Sequence, residues 1–408
     1  MIRLVALLVL LAQPVFAQEV CRDLNSGLQT IHPFKAAIPC LSDDQLKRFF
    51  RGNTLFGVTR RTEPTRIGFP GGIGPRYSAQ SCAHCHVFNR KGEVPRSPNR
   101  AIGVAVALLS LEATDLLGKT LSPYATDLPY GEGRLLTADG AVPHYVIWET
   151  NPSAAEYAVR MPMALTGLGL IENVEEEIIL ELADPDDLDG DGVSGRVSRT
   201  ANGQVGRFGW KAQHASLVGV TIFALENDMG LTVFESLKLI CKSNLSCDAP
   251  NSGEAIEVEK AELALLVDYL RYLSAPSDVP SAEGFTLFKT TGCAACHIPS
   301  LPTKHPANGA RVSIPIYSDL LLHDMGPALA DPASVSPNTA SEWRTAPLWG
   351  LAATLRLAGE LSLMHDGRAK TLSEAILAHD GEAHNARQNF LRLEASARDK
   401  LLNFLKSL

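Results

Sequence analysis

The chain has 408 residues, 45% of them hydrophobic, and its 37 Lys and Arg against 45 Asp and Glu residues give a formal net charge of −8. This length suits two domains of ordinary size, each with its own core. The acidic balance argues against nucleic acid as a partner and favours a small basic or dipolar protein instead.

The amino-terminal segment has the pattern of a secretory signal peptide. Arg3 precedes an apolar run at residues 4–11, and Ala17 stands just before Gln18 at a suitable cleavage position. The run is too short to cross a bilayer as a helix, which argues against the alternative of a retained anchor. We therefore expect cleavage after Ala17 to remove residues 1–17. No other long apolar run follows, so the exported chain is expected to have no membrane span.

The sequence Cys82-Ala-His-Cys85-His86, the first motif, has the spacing of a covalent haem attachment site. Two thiols three positions apart lie about one helical turn apart, so both can bond to the vinyl groups of one porphyrin. The following His then binds the iron as its proximal ligand. A zinc site would need four ligands close together, and a thioredoxin-like pair has no use for the trailing His. His84, inside the motif, is expected to be an exposed spacer.

The first half of the chain is predicted to be helical with long loops. Apolar spacing predicts helices at residues 104–117, 172–183 and 214–242. Almost no stretch shows the alternation of a long strand. We assign residues 18–250 to an N-terminal haem c domain with insertions.

An acidic turn follows the second of these helices. Asp187, Asp189 and Asp191 alternate before Gly192, as at the start of a calcium-binding loop, where carboxylate oxygens surround a hard cation. Ser198 stands where an EF-hand has its bidentate Glu, so an EF-hand is not expected. The alternatives are an isolated calcium site at the three Asp residues and a solvated acidic turn.

The second half contains a further haem motif, Cys293-Ala-Ala-Cys296-His297, the second motif. Helices are predicted before it, at residues 256–273 and 281–288, and at the end of the chain, at residues 386–408. In small cytochromes c, such first and last helices cross beside the haem. We therefore place a C-terminal cytochrome-c-like domain at residues 251–408. The whole fold is predicted to be mainly α, with two cytochrome-c-like haem domains and long loops.

Four cysteines remain outside the two motifs. An even number of them in an exported chain indicates disulfides. Proximity in sequence predicts the pairs Cys21–Cys40 and Cys241–Cys247.

The residue on the far side of each iron decides function, because Met or His there gives an electron carrier and an open site gives chemistry. Met325, in the polar segment His323-Asp-Met-Gly-Pro327, is predicted to ligate the iron bound by His297; the alternative is core filling. No equally placed partner is found for the haem at His86. The residues considered there, each more simply explained as structural, are His144, Met161, Met163, His214 and Met229.

Aromatic, basic and acidic residues supply further candidates. Tryptophans between the haems would assist electron transfer, although core packing is the simpler explanation; they are Trp210, Trp343 and Trp349. Arginines would pair with haem propionates or form structural salt bridges; they are Arg207, Arg344 and Arg368. Glu149 and Glu172 are candidate acid–base groups, with an ordinary structural role preferred.

Ordered motifs over most of the mature chain resemble the bacterial di-haem oxidoreductases, relatives of the di-haem cytochrome c peroxidases. Besides the haem motifs, the shared blocks are GIGP at 72–75, GLGLIE at 167–172, DPDDLDGDGVSGR at 184–196, GRFGWKA at 206–212, YSDL at 317–320, HDMG at 323–326, WRT at 343–345, PLWG at 347–350, HDGRA at 365–369 and EAI at 374–376. The resemblance implies two haem domains that face each other. It also implies that Met325, which precedes Trp343, ligates the C-terminal haem. The distal His and the catalytic Glu of those peroxidases have no recognisable counterpart here.

These observations predict a periplasmic di-haem c-type oxidoreductase. It would reduce hydrogen peroxide, a small-molecule oxidant, with electrons from a small cytochrome c or copper protein. Electrons would enter at the haem of His297 and pass to the haem of His86. One alternative is a di-haem electron-transfer cytochrome without its own substrate. Another is the oxidation of an organic or protein substrate by a high-valent haem.

Overall fold

The computed structural model describes residues 32–61, 73, 76–92, 160–234, 256–276, 280–331 and 340–408, and the backbone of strand segments at 106–109, 124–125, 133–136, 144–147 and 157–159. The predicted signal peptide, Glu149 and three of the cysteines predicted to form disulfides lie outside the described residues. Cys40 forms a disulfide with a cysteine outside them. This agrees with the expectation that the cysteines outside the haem motifs are paired, and the choice of Cys21 as the partner stays a prediction.

Most of the regular structure is helical, which confirms the prediction of a mainly α fold. The helices are α1 (Asp43–Gly57), α2 (Cys82–Cys85), α3 (Leu168–Glu172), α4 (Glu176–Glu181), α5 (Leu217–Asn227), α6 (Lys260–Arg271), α7 (Ala282–Thr291), α8 (Leu351–Ala358), α9 (Leu372–Ala378), α10 (His384–Arg392) and α11 (Ala395–Leu405). Single 3-10 turns lie at Val87–Asn89, Cys293–Ala295, Pro327–Leu329 and Gly381–Ala383. Within the described segments, no helix combines the length and the apolar character needed to span a membrane.

The strands are short and pair in antiparallel twos. The pairs are β1 (Arg76–Tyr77) with β3 (Tyr124–Ala125), β2 (Val106–Leu109) with β6 (Tyr157–Arg160), β4 (Gly133–Leu136) with β5 (His144–Ile147), β7 (Leu301–Lys304) with β8 (Arg311–Ile314), and β9 (Leu322–Asp324) with β10 (Glu342–Arg344). The prediction of a helix at residues 104–117 is wrong for Val106–Leu109, which form strand β2. A short continuous apolar run there fits a strand as well as a helix, and periodicity cannot distinguish them.

Three other predicted helices are shorter than expected. Residues 172–183 divide between the end of α3 and α4, and residues 386–408 divide between α10 and α11. Residues 214–242 contain α5, which ends before Gly230, a residue with a left-handed φ of 63°. The apolar spacing was correct in each case, but it continues across turns, so it does not locate helix ends.

The first hydrophobic core forms where α1 crosses α6. Ser42 caps α1 through reciprocal hydrogen bonds with Gln45, and Phe49 of the helix is turned inward. A Cβ added to Gly52 would lie 2.1 Å from the carbonyl oxygen of Leu265, so a larger residue would force the two helices apart. Helices α3 and α5 and strand β7 join the same core. The core therefore contains segments from both sides of residue 251, and the division into domains at that residue stays a prediction.

The second core forms where α7 crosses α11, the first and last helices of the predicted C-terminal domain. Phe288 of α7 and Phe404 of α11 are buried, with ring centroids 5.3 Å apart. A Cβ added to Gly284 would lie 2.1 Å from Cβ of Phe404, so the two helices touch at this glycine. Cys293 packs against this core. The crossing therefore fixes the position of the second motif.

Replacing Gly284 with Ala should loosen this crossing. The added methyl group must push α7 away from α11, and overpacking of this kind costs about 1–3 kcal/mol. Urea denaturation should therefore give a lower midpoint for Gly284→Ala than for the wild type. Gly57→Ala is the control, because a Cβ at the end of α1 meets nothing within 4 Å. An unchanged midpoint for Gly284→Ala would contradict the close crossing.

Candidate functional site

The first motif forms a single helical turn whose thiols point into the protein. Cys82 and Cys85 make no disulfide, and burial raises the pKa of both thiols, that of Cys82 to about 11. His86 follows the turn, and its Nδ1 lies 2.9 Å from the carbonyl oxygen of Met163, to which it can donate. Burial lowers the pKa of His86 to about 4. The motif thus presents two protonated thiols and a neutral imidazole whose other nitrogen is left for a ligand.

The second motif repeats this arrangement. Helix α7 ends at Gly292, whose φ of 101° turns the chain into the 3-10 turn that carries Cys293. The Nδ1 atom of His297 lies 2.8 Å from the carbonyl oxygen of Tyr317, a residue that itself has a left-handed φ of 52°. Burial lowers the pKa of His297 to about 4. Both motifs therefore present the same donor set, although different segments of the chain hold them.

Both motifs line one cavity of about 660 Å³. Its lining includes all six motif residues, and aliphatic and aromatic side chains from both cores surround them. The attachment and ligand residues are Cys82, Cys85, His86, Cys293, Cys296 and His297. Paired thiols, neutral imidazoles and apolar walls are the groups that a covalently attached haem requires.

The surroundings of Arg344 show whether the charges of the cavity also fit haem. It lines the cavity and is buried, and its Nε donates to the carbonyl oxygen of Gly209 at 2.9 Å. Its Nη1 makes no hydrogen bond within the described residues, and burial lowers its pKa to about 10. A buried guanidinium with a donor to spare requires an anion. A haem propionate satisfies that requirement, so the residues present fit haem.

The other two candidate arginines are held elsewhere. Arg207 donates through Nη1 to the carbonyl oxygens of Glu172 and Val174, at 2.9 and 2.7 Å, and thereby closes the end of α3. Arg368 pairs with Asp366 at 2.7 Å. Neither arginine is among the residues that line the cavity. Both have the structural role that was the alternative to propionate binding.

All three candidate tryptophans line the cavity. Trp343 and Trp210 donate from Nε1 to the carbonyl oxygens of Leu329 and Met161, at 2.9 and 2.8 Å, so both rings are fixed. The ring of His365 stacks on Trp343, with centroids 3.7 Å apart and planes 9° from parallel. Trp349 lies against the first core, where residues of both halves meet.

Positive side chains surround the Trp343–His365 stack. Arg160 and Lys211 lie over the ring of Trp343, at 5.3 and 4.0 Å from its centroid. Burial lowers the pKa of Lys211 to about 7. It also lowers the pKa of Lys91, which lies over the ring of Trp210, to about 7. Burial, followed by the charges of these cations, lowers the pKa of His365 to about 2. His365 is therefore neutral at pH 7.

Met325 lines the cavity as part of the tryptophan cluster, the group in which Met163, Met325, Ala346 and Met364 pack against Trp210, Leu329 and Trp343. Its backbone N–H donates to Ser341 across the end of the β9–β10 pair. Its role as an axial ligand stays a prediction. Four of the residues considered for the first haem also line the cavity: Met161, Met163, His214 and Met229. Of His144, only the backbone in β5 is described.

His323, two residues before Met325, is held between two carboxylates. Its Nε2 lies 2.8 Å from Asp319 and its Nδ1 lies 2.7 Å from Glu382. Burial opposes protonation, but these hydrogen bonds and one with Cys296 outweigh it and raise the pKa of His323 to about 12. Both ring nitrogens are engaged, so His323 orders the segment around it and cannot also be a ligand.

Asp228 is a cavity residue that the sequence pattern did not single out. It follows α5, and one of its carboxylate oxygens, Oδ1, has no hydrogen-bond partner in the part of the chain that the structure describes. Burial raises its pKa to about 7, and its charge raises the pKa of both thiols of the first motif. The only signal was the repetition of Asp-Met-Gly at 228–230 and 324–326. It drew attention to the methionines rather than to the acid.

Glu172, one of the two candidate acid–base groups, is held by two other residues. Glu172 pairs with Arg271 at 3.0 Å, and its other oxygen accepts from the N–H of Leu217 at the start of α5. This is the structural role preferred from the sequence.

In the acidic turn, oxygens of Asp187 and Asp189 lie within 4.8 Å of each other and of a third carboxylate. The third member is Asp184, not the predicted Asp191, which instead accepts from the N–H of Val193. Calcium binding at this turn stays a prediction.

Comparisons with known proteins give a family. The profile of the family described as "Di-haem oxidoreductase, putative peroxidase" matches residues 153–238 and 258–408, more than half of the chain. A solved structure of hydrazine synthase from Kuenenia stuttgartiensis, pressurised with xenon, is similar at 14% sequence identity and a TM-score of 0.39. The match covers 92% of this chain and 91% of that one. A TM-score this low does not establish a common fold. No curated protein sequence matches the chain.

The buried Asp228 should make stability depend on pH. Its pKa rises from 3.8 to about 7 on folding, so the folded state holds a proton that the unfolded state releases between these values. Stability is therefore lost as the pH rises through this window, by up to about 4 kcal/mol for a shift of about three pKa units. Asp228→Asn removes the penalty.

The measurement is urea denaturation at pH 4 and pH 8. Asp228→Asn should be more stable than the wild type at pH 8, and the difference should shrink towards pH 4. The exposed Asp399 supplies the control variant Asp399→Asn. A difference for Asp228→Asn that is the same at both pH values would show that Asp228 does not carry a raised pKa.

Proposed function

The chain belongs to the family of di-haem oxidoreductases, and from this premise we propose that it is a periplasmic peroxidase with two covalently attached haems. One haem would be attached at the first motif and the other at the second. The observation that carries the proposal is that both motifs line a single cavity, and that the histidine of each is hydrogen-bonded to a backbone carbonyl. A shared cavity supports electron transfer between two cofactors of one chain.

Bound haem would supply an iron that exchanges single electrons and, where one axial position is open, reacts with peroxide. In the proposed reaction, one hydrogen peroxide takes up two electrons and two protons and becomes two waters. Two molecules of a reduced small cytochrome c or copper protein would each give up one electron. The net charge of −8 supports a donor with a basic surface, because opposite charges attract the partners over long range.

Asp228 is the group best suited to handle the protons. Its pKa of about 7 allows it both to hold and to release a proton near neutral pH. It lines the cavity beside the first motif, and its Oδ1 makes no hydrogen bond to another described residue. We assign to it the acid–base role for which the sequence suggested Glu149 and Glu172.

Cations around the cavity would bind and orient the propionates. Arg344 has a donor for this purpose, and Lys91 adds a second basic side chain to the lining. Arg160 also lines the cavity but already pairs with Asp331. Burying several cations is costly unless anions join them. Propionates would provide those anions in an otherwise acidic protein.

Asp228→Asn should lower kcat/KM for hydrogen peroxide by about 10²-fold, the usual contribution of a positioned acid–base group. Asp228→Glu should retain more activity, because it keeps an ionisable carboxyl. The haem content of both variants should match that of the wild type. Asp399→Asn is again the control, and unchanged turnover in Asp228→Asn would exclude Asp228 from proton transfer.

The function itself is tested with protein produced in a host able to assemble c-type cytochromes. Mass spectrometry should show the added mass of two haems. The loaded chain should oxidise a reduced cytochrome c or copper protein only when peroxide is present, and cyanide should bind to one haem and inhibit. A variant with Ser at Cys82 and Cys85 should keep the second haem and lose turnover.

Three results would contradict this proposal. A chain without added haem mass would remove the cofactors. Two haems that bind cyanide in no oxidation state, with no peroxide turnover, would instead indicate an electron-transfer cytochrome. Turnover of an organic or protein substrate without oxidation of the reduced donor would indicate a different oxidase.

A further inference from the structure

His379 is a partly buried histidine that the sequence motifs leave unexplained. It caps the C-terminal end of α9 and lines the same cavity as the two motifs. The residues at helical spacing before it, Leu372, Ala375 and Ile376, line the cavity as well. The inward face of α9 therefore delivers the imidazole of His379 to the cavity.

A hydrogen bond fixes the ring of His379 in the way that is usual for a metal-binding histidine. Its Nδ1 lies 2.6 Å from the carbonyl oxygen of Ala375, one turn earlier in α9. A nitrogen bonded to a carbonyl must carry the proton, so the Nε2 atom is left with a lone pair. His86 and His297, the proximal histidines, make the same bond to Met163 and Tyr317. Such an outer hydrogen bond is the usual support of a ligating histidine.

His379 lies near the second motif and not near the first. Its helix packs against α10 and α11, and Leu372 and Ile376 lie in the same core as Cys293. Burial is the first cause of the lowered pKa of His297, and the charge of His379 is a further one, so the two rings lie close enough to repel when charged. Burial also lowers the pKa of His379 itself. Its imidazole is therefore in the neutral form that binds metals.

The competing residues are placed less well. His323 has both ring nitrogens bonded to carboxylates, and His365 is stacked on Trp343. Met325 packs in the tryptophan cluster beside Met163, the residue whose carbonyl supports His86. The Met325 side chain is thus packed against the tryptophan cluster and not against the core that contains Cys293.

We propose that Nε2 of His379 is the second axial ligand of the haem attached at Cys293 and Cys296, opposite His297. The proposal rests on the haem attachment proposed above. It makes the second haem six-coordinate with two imidazoles, so this haem would carry electrons and not bind peroxide. It also replaces Met325 in that role. Two imidazoles stabilise ferric iron more than His and Met do, so the second haem would have a lower reduction potential than a His–Met haem.

The experiment is electron paramagnetic resonance and near-infrared absorption of the oxidised, haem-loaded protein. The wild type should show a low-spin haem with two imidazole ligands and no charge-transfer band of Met-ligated ferric haem. His379→Met should create that band and raise the reduction potential of the second haem. His379→Ala should make the haem high-spin and open to cyanide. Met325→Leu, the matched control, should leave the spectra of the second haem unchanged.

The possible outcomes distinguish a wrong ligand assignment from a wrong proposed function. A Met-type band in the wild type that Met325→Leu removes would overturn the assignment, even if the His379 variants fail to fold. A His379→Met spectrum identical to that of the wild type, with both haems present, would overturn it too. The wild-type spectrum and Met325→Leu need no stable His379 variant, and haem mass is measured on the same samples. A chain that lacks haem would therefore contradict the proposed function and not the assignment of His379 as a ligand.

Discussion

The structure depends on a hydrogen bond between an imidazole that lines the cavity and a backbone carbonyl from another segment of the chain. Nδ1 of His86 reaches Met163 and Nδ1 of His297 reaches Tyr317, at 2.9 and 2.8 Å. The local turn of each motif aims its thiols, but only the tertiary contact fixes the tautomer and the ring. Tyr317 accepts this bond from a left-handed backbone conformation, which costs energy and persists only because the surrounding core holds it. Cofactor binding and packing are therefore coupled at both motifs.

The two cores bring these supports together. The first core joins α1, α3, α5 and α6 with residues beyond the second motif, including Ile314 and Leu321. The second core holds α7 against α11. The cavity opens between them and is lined from both. Arg344 on its lining keeps a donor without a partner among the described residues, in a chain whose net charge is −8. An anionic cofactor would supply that partner.

Both motifs could be found in the sequence because the attachment of a haem c requires two cysteines and a histidine at a fixed spacing. The mainly α fold followed from apolar periodicity, and the crossing of the first and last helices of the second half followed from their resemblance to those of small cytochromes c. Asp228 and His379 could not be found in this way, since burial and an unmatched hydrogen bond are properties of the folded chain. The helical spacing of Leu372, Ala375, Ile376 and His379 was a usable signal. It was missed because the family blocks ended at Ile376. Asp184 replaced Asp191 in the acidic turn for a similar reason: loop geometry, not alternation, decides which carboxylates meet.

The cations over Trp343 have a consequence for how charge moves through the protein. Arg160 and Lys211 face the ring, and a positive charge there stabilises the neutral, electron-rich indole. Removing an electron would bring a third positive charge into the same buried space. Trp343 is therefore a poor resting place for a radical, and charge crossing this region would tunnel past the indole rather than hop onto it. Trp343 would be spared oxidative damage, although a rise in pH that neutralises Lys211 would weaken this protection.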